Sequence, residues 1–337
     1  MPDAADRADI YAADHAGMLS PAVKGFPPRV YVPNSGSNTV SVIDPATYKV
    51  IDTFKVGRQP QHVVPSYDLK MLWVLNDLGD SVTQLDPATG RKGRTFPVKD
   101  PYNMYFTPDG KFAIIVAERE KRLDFRDPHT MKLLYSLPVP CRGVDHMDFS
   151  ANGRYAIASC EFTSDLVKFD IAERRVLGTL KMEPGGMPQD VKTSPDGSVF
   201  YVADMMANGV YLIDPDKFAR IGFVPTGIGA HGLYVSRDSK VLYVSNRGEG
   251  SVSVIDLATR QQTAKWKIPG KGSPDMGGVS ADGKVLWLAG RYSKEVYAFD
   301  THDGHLIARI PVGKGPHGLC VYPQPGRYSL GHTGVFR

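Results

Sequence analysis

Seven polar residues stand at nearly equal intervals along this chain: His62, Asn103, His146, Gln189, His231, Asp275 and His317, spaced 41 to 44 residues apart. Four of the chain's nine histidines fall in this one register. Neutral imidazole is the commonest transition-metal ligand. Several imidazoles converging on one point suit Fe, Cu or Zn. His62, His146, His231 and His317 are therefore expected metal ligands, with Asp275 adding an oxygen or orienting a neighbouring ring. Asp145 and Asp190 sit beside members of this register, where a carboxylate would accept a hydrogen bond from the far nitrogen of a ligating ring. Two other readings of the same residues stand beside this one: a hydrated polar ring without a ligand, and a site that binds an organic molecule directly.

A second set lies nine and ten residues before a recurring Asp. It contains Glu161, Asp204, Arg247 and Arg291. Glu161 and Asp204 are the expected proton-transfer carboxylates. Arg247 and Arg291 would hold an anionic substrate through paired N–H groups, with Asn103 and Gln189 as further substrate-binding groups. Salt bridging between neighbouring units would use the same four charged residues.

Such residues can meet only if a repeat brings them together. One phrase recurs seven times and ends its third segment at Asp44, Asp86, Asp127, Asp170, Asp214, Asp256 and Asp300, with gaps of 41 to 44 residues. The copy from His231 reads HGLYV, turn SRDSK, VLYVSN, loop RGEG, SVSVID, turn LATRQQ, TAKWKI. Each apolar segment alternates with the two-residue period of a half-buried strand. TPDGK, SANGR, SPDGS and SADGK punctuate the first turn of other copies, with Gly or Asn where tight hairpins need positive φ. Four short strands at this period predict a β-propeller blade.

The expected fold is all-β: a seven-bladed propeller of four-stranded antiparallel blades over residues 28–323. RVYVPN at Arg29 matches a second strand and PHGLCVY near the end matches a first strand. The C-terminal inner strand should therefore join the N-terminal blade and close the ring, which removes open sheet edges. Residues 1–27 form an N-terminal extension and 324–337 a tail, both expected to pack over a face or the rim. His332, in LGHTG, falls outside the repeat, where it could lid a face. His129, His302 and His305 fall in or beside outer turns and read as solvated.

The charge balance of 40 basic and 36 acidic residues, net +4, is well mixed and predicts no nucleic-acid groove. No apolar stretch approaches the ~18 residues that a spanning helix needs. Three cysteines, an odd number, predict no disulfide framework, and Cys141 and Cys160 read as small buried residues. The polar start MPDAADRADIYAADHAG lacks an apolar leader core. The resulting expectation is a cytoplasmic protein without nucleic-acid or membrane partners.

VYVPNSGSNTVSVIDPATYKV and VLYVSNRGEGSVSVIDLATRQ resemble the repeats of YVTN-type, YncE-like β-propellers. The resemblance covers nearly the whole chain and implies the propeller fold. It implies no single activity, because a shared fold carries no chemistry of its own. The reading for function is a metal-dependent enzyme, an oxidoreductase or lyase, with a histidine-ligated metal at the channel mouth acting on a small anionic ligand. The alternative is a non-catalytic binding or scaffold propeller presenting loops to a partner protein.

Overall fold

The computed structural model describes residues 6, 8–332 and 334–337. Seven four-stranded antiparallel sheets stand around a common axis. The first sheet runs Cys320–Tyr322, Arg29–Asn34, Thr39–Asp44, Lys49–Lys55 from axis to rim. In the other six, chain order and spatial order coincide, beginning with inner strands Pro60–Pro65, Asn103–Phe106, Val144–Phe149, Pro188–Thr193, Ala230–Val235 and Pro274–Val279. The C-terminal strand closes the ring as expected, pairing Tyr31 with Cys320 and Val30 with Val321.

Local chemistry builds each blade in the same way. The recurring Asp caps the turn after the third strand: Asp44 accepts from the Ala46 N–H at 3.0 Å and from Thr47 Oγ1 at 2.8 Å, and Asp86 repeats this with Ala88 and Thr89. Such Asx turns satisfy backbone donors that the ladder cannot reach. The first turn is tied by a hydroxyl on an Asp or Asn two residues on, as in Thr107–Asp109 and Ser236–Asp238. Inner strands are buried throughout and outer strands such as Lys49–Lys55 face solvent. The core is therefore a ring of apolar clusters between neighbouring sheets, for example Val30, Val32 and Ile43 against Trp287, Val296 and Ala298.

Both terminal segments pack on the far end of the inner strands. Tyr11 Oη donates to the Thr193 carbonyl and Asp14 pairs with Arg237. The tail runs along the inner strand of blade three: Phe106 N–H donates to Leu330 O at 2.9 Å and His332 N–H to Met104 O at 2.8 Å. Arg337 anchors its end on Asp148 at 3.0 Å.

Cys141 and Cys160 correct the expectation of unpaired thiols: they are bonded, with Cα atoms 6.0 Å apart. Cys141 precedes the inner strand of blade four and Cys160 ends its second strand. The antiparallel hairpin returns one to the other. Cys320 is free and buried.

Candidate metal centre at the propeller axis

The residues that face the axis are put there by irregular pairing. The inner strand leaves register with its neighbour between Pro60 and His62, Val144 and Met147, Pro188 and Val191, Ala230 and Leu233, and Pro274 and Gly277. Each slip frees one or two residues from the ladder, and His146, Gln189, His231 and Asp275 lie within these gaps. A bulge of this kind re-aims a side chain. Serines of the second strand take up freed backbone groups: Ser159 Oγ bonds the His146 N–H and Ser245 Oγ the Gly232 N–H.

All seven residues of the register are buried. Five imidazoles meet here, not four. His332 enters from the tail, and its ring centre lies 4.7 Å from that of His146 and 5.4 Å from that of His62. The ligand atoms of His62, His146 and His332 lie within 4.8 Å of one another. The Nε2 of each is buried without a hydrogen-bond partner. An orphaned buried polar atom is costly; beside the Nε2 of His146 and of His332 stand only carboxylates, Asp145 Oδ1 at 3.3 Å and Asp190 Oδ1 at 3.6 Å.

The other nitrogens are held. His62 Nδ1 lies 2.9 Å from the Tyr102 carbonyl. A carbonyl only accepts, so Nδ1 carries the proton and Nε2 presents a lone pair. His146 and His332 share the side-chain amide of Asn103, whose Nδ2 lies 3.0 and 2.9 Å from their Nδ1 atoms. With the amide donating, both rings carry their proton on Nε2. The amide is held in this orientation by the Met104 N–H, which donates to its Oδ1 at 2.9 Å. Asn103, expected to hold substrate, orients two rings instead. Burial, first, and neighbouring rings hold His62 and His146 well below the ordinary imidazole value; burial and then Lys192 do the same for His332. All three are therefore neutral, the form that ligates.

His231 and His317, expected in the same ligand set, are engaged by Asp275. His231 Nδ1 lies 3.1 Å from Asp275 Oδ1 and His317 Nδ1 2.7 Å from Oδ2. Arg247 donates Nε and Nη2 to Oδ1 at 2.9 and 2.6 Å. Burial opposes ionisation of Asp275, but Arg247, His231 and Arg291 together outweigh it and keep the carboxylate charged. Both of its oxygens are thus occupied by protein donors.

Toward the mouth, Glu161 Oε2 accepts from Gln189 Nε2 at 2.9 Å and Glu161 shares a hydrogen bond with Glu118. Burial raises Glu161; burial and then Glu161 raise Glu118 to about 8. Asp145 is fully buried and neither of its oxygens has a hydrogen-bond partner, although His146 Nε2 lies 3.3 Å from Oδ1. Arg291 Nη1 reaches only neutral oxygens, Gln61 Oε1 at 3.3 Å and Ser35 Oγ at 3.4 Å. Asp204 lies apart from this group's chemistry. Its Oδ1 accepts the N–H groups of Met187, Met206 and Ala207 at 2.9 to 3.0 Å, which ties it into its loop.

Two functional candidates escaped the register. His332 belongs to no repeat, and its signal was only a histidine between glycines. Tyr102 precedes Asn103 by one residue; its hydroxyl stands 3.4 Å from His317 Nε2 and its ring edge meets His62.

The fold and axial site define a seven-bladed propeller with a histidine-rich channel. The chain belongs to the YncE-like β-propeller family, whose model, described as YNCE-like beta-propeller, matches residues 19–326. It is 22 % identical over 301 residues to the uncharacterized protein YwhL of Bacillus subtilis (strain 168), covering 87 % of this chain and 64 % of that protein. It is 28 % identical over 174 residues to antigen Lp49 of Leptospira interrogans, covering 44 % of this chain and 37 % of that protein. The chain thus spans less than two thirds of each relative. Among solved structures, hydrazine synthase of Kuenenia stuttgartiensis superposes with a TM-score of 0.72 at 20 % identity, covering 84 % of this chain and 94 % of that one. A functionally unknown protein of Desulfotomaculum acetoxidans gives 0.73 at 16 %, covering 87 % and 98 %. Dihydro-heme d1 dehydrogenase NirN, solved in complex with DHE, gives 0.66 at 14 %, covering 90 % and 76 %. At these identities the likeness is one of fold. No helix among the described residues is long and apolar enough to cross a membrane.

Proposed function

We propose that this protein binds a transition metal (Fe, Cu or Zn) on the propeller axis through His62, His146 and His332, and acts there on a small anionic organic substrate. The observation that carries this reading is the trio of buried imidazoles whose ligand atoms lie within 4.8 Å of one another, the Nε2 of each without a hydrogen-bond partner. The donor set is all-imidazole and neutral, which suits Zn, Cu and Fe. When bound, the metal would supply Lewis-acid or redox chemistry. The chain's own groups would do the rest. Glu118, raised to about 8, holds a proton at neutral pH beside Glu161, Arg291 offers unpaired N–H donors, and Asp275 keeps Arg247, His231 and His317 in place.

The test is metal uptake by tag-free protein, followed by titration calorimetry and elemental analysis with Zn, Cu and Fe salts. The wild type is expected to take up about one equivalent. His332→Ala and His146→Ala should each lower affinity by about 10–100-fold or more, and His231→Ala by less. No uptake of any of the three metals at neutral pH sinks the reading.

A second reading, a propeller that displays its mouth to a partner protein, is favoured by one observation. Phe162, Met206, Ile228 and Tyr292, all on mouth loops, are 54 to 72 % exposed. Such apolar exposure marks interaction surfaces.

A further inference from the structure

The mouth carries ionisable groups that the protein itself leaves without a direct ion pair, and they are sorted by side. Blades three and four contribute Glu118 and Glu161. Among the described residues neither has a lysine, arginine or histidine nitrogen within salt-bridge distance; Glu161 raises Glu118, while Arg247 and Arg291 act on Glu161 only from farther off. Asp145, fully buried just behind them, has the His146 Nε2 close by, 3.3 Å from its Oδ1. Its strongest charged neighbours are those same two glutamates. Blade seven contributes Arg291, which has no carboxylate within salt-bridge distance and touches only an amide and a hydroxyl oxygen.

Elsewhere at the mouth such charges are matched. Arg247 is spent on Asp275, and Arg119 on Asp100 and Asp77. Glu118, Glu161 and Arg291 are half-buried, and an ionisable group half-buried without an ion-pair partner is costly to charge. An acidic side and a basic side held apart across one opening therefore describe a ligand bearing both signs. A groove of about 660 Å3, lined by Met205, Ile228, Arg247 and Tyr292 among others, leads along the loops to Arg247.

We propose that the mouth takes a small zwitterion, an amine and a carboxylate on one short carbon frame, with its ammonium between Glu118 and Glu161 and its carboxylate on Arg291. The inference rests on reading the mouth as the substrate entrance and names the class of that substrate. An ammonium supplies three donors to the two carboxyl groups and displaces to solvent the proton that Glu118 holds at neutral pH in the empty mouth, and a guanidinium matches a carboxylate with two parallel N–H bonds. A purely anionic ligand would satisfy Arg291 but face the glutamates.

The experiment is calorimetric titration of metal-free protein at neutral pH with glycine, β-alanine and γ-aminobutyrate, and with butyrate and butylamine as single-charge controls. One of the three zwitterions is expected to bind at least about tenfold tighter than either control, a difference of ~1.4 kcal/mol. Arg291→Gln should reduce it to the level of butylamine. The double variant Glu118→Gln, Glu161→Gln should reduce it to the level of butyrate. The Glu→Gln replacements are isosteric, Arg291→Gln is a shortening of a half-buried side chain, and thermal melts confirm that each variant is folded. Butyrate binding as tightly as the best zwitterion overturns the inference, as does the absence of any binding up to about 10 mM, a Kd weaker than that of millimolar ligands. Metal uptake is scored separately on the same preparations. Zwitterion binding without metal uptake sinks the metal centre alone, and metal uptake without zwitterion binding sinks this inference alone.

Discussion

A carboxyl raised to about 8, as Glu118 is by burial and by Glu161 and Asp77 beside it, keeps its proton in the folded chain where the unfolded chain has lost it. Below the ordinary value of 4.5 the group is neutral in both states and costs nothing. As pH rises from 4.5 toward 8 the folded state binds the extra proton, so stability falls across that window and levels off above it. One pKa unit is worth ~1.4 kcal/mol, and partial solvent access trims the whole to about 2–4 kcal/mol. Glu118→Gln should therefore flatten the decline, which denaturant melts across this pH range will measure. Parallel curves for wild type and variant would remove the argument. A second single-residue test lies at Gly318, where an added Cβ would stand 2.0 Å from His62 Cδ2. Gly318→Ala must push that imidazole off the axis. It should lower metal affinity by about tenfold while costing the fold ~1–3 kcal/mol. Unchanged metal affinity would mean that His62 is not a ligand.

The tail is the element on which the axial site depends, and its docking hangs on one glycine. Gly331 has φ +96° and packs so closely on blade three that a Cβ would meet Tyr105 Cα at 2.4 Å and Met104 O at 2.5 Å. Those are backbone atoms and cannot turn aside. Gly331→Ala should lift the tail locally and withdraw His332, leaving two imidazoles and a metal affinity reduced by about 10–100-fold. Difference calorimetry against His332→Ala will show the same loss if displacement is the cause; full metal affinity in Gly331→Ala would refute it. Here the sequence had little to say. Blades are legible because one strand-turn phrase repeats seven times, so that His62, His146, Gln189, His231, Asp275 and His317 align by counting. The tail occurs once, has no strand alternation, and its histidine gains meaning only where the chain crosses under the ring. The bulges that aim the ring are equally silent, because a slip between Val144 and Met147 leaves no mark in the composition.

At the scale of the molecule, counting succeeded because closure converts equal spacing along the chain into equal position around an axis, and it failed where a single contact breaks that symmetry. The Cys141–Cys160 bond joins two registers inside one blade, and an odd count of three concealed it. Closure itself is the longest-range event in the fold: Tyr31 pairs with Cys320 across almost the whole chain. Contacts between such distant partners carry a large loop-closure cost and form late. Tyr322 belongs to that closing strand. It is 1 % exposed, donates its hydroxyl to the Leu69 carbonyl, and packs with Tyr31, Val23 and Phe26. Tyr322→Ala should cost ~3–5 kcal/mol, as for a large aromatic removed from a core. If closure comes after the barrier, that loss falls on the unfolding rate and leaves refolding unchanged. The two arms of a denaturant chevron separate these outcomes. A refolding arm slowed in proportion to the lost stability would place ring closure inside the folding nucleus instead.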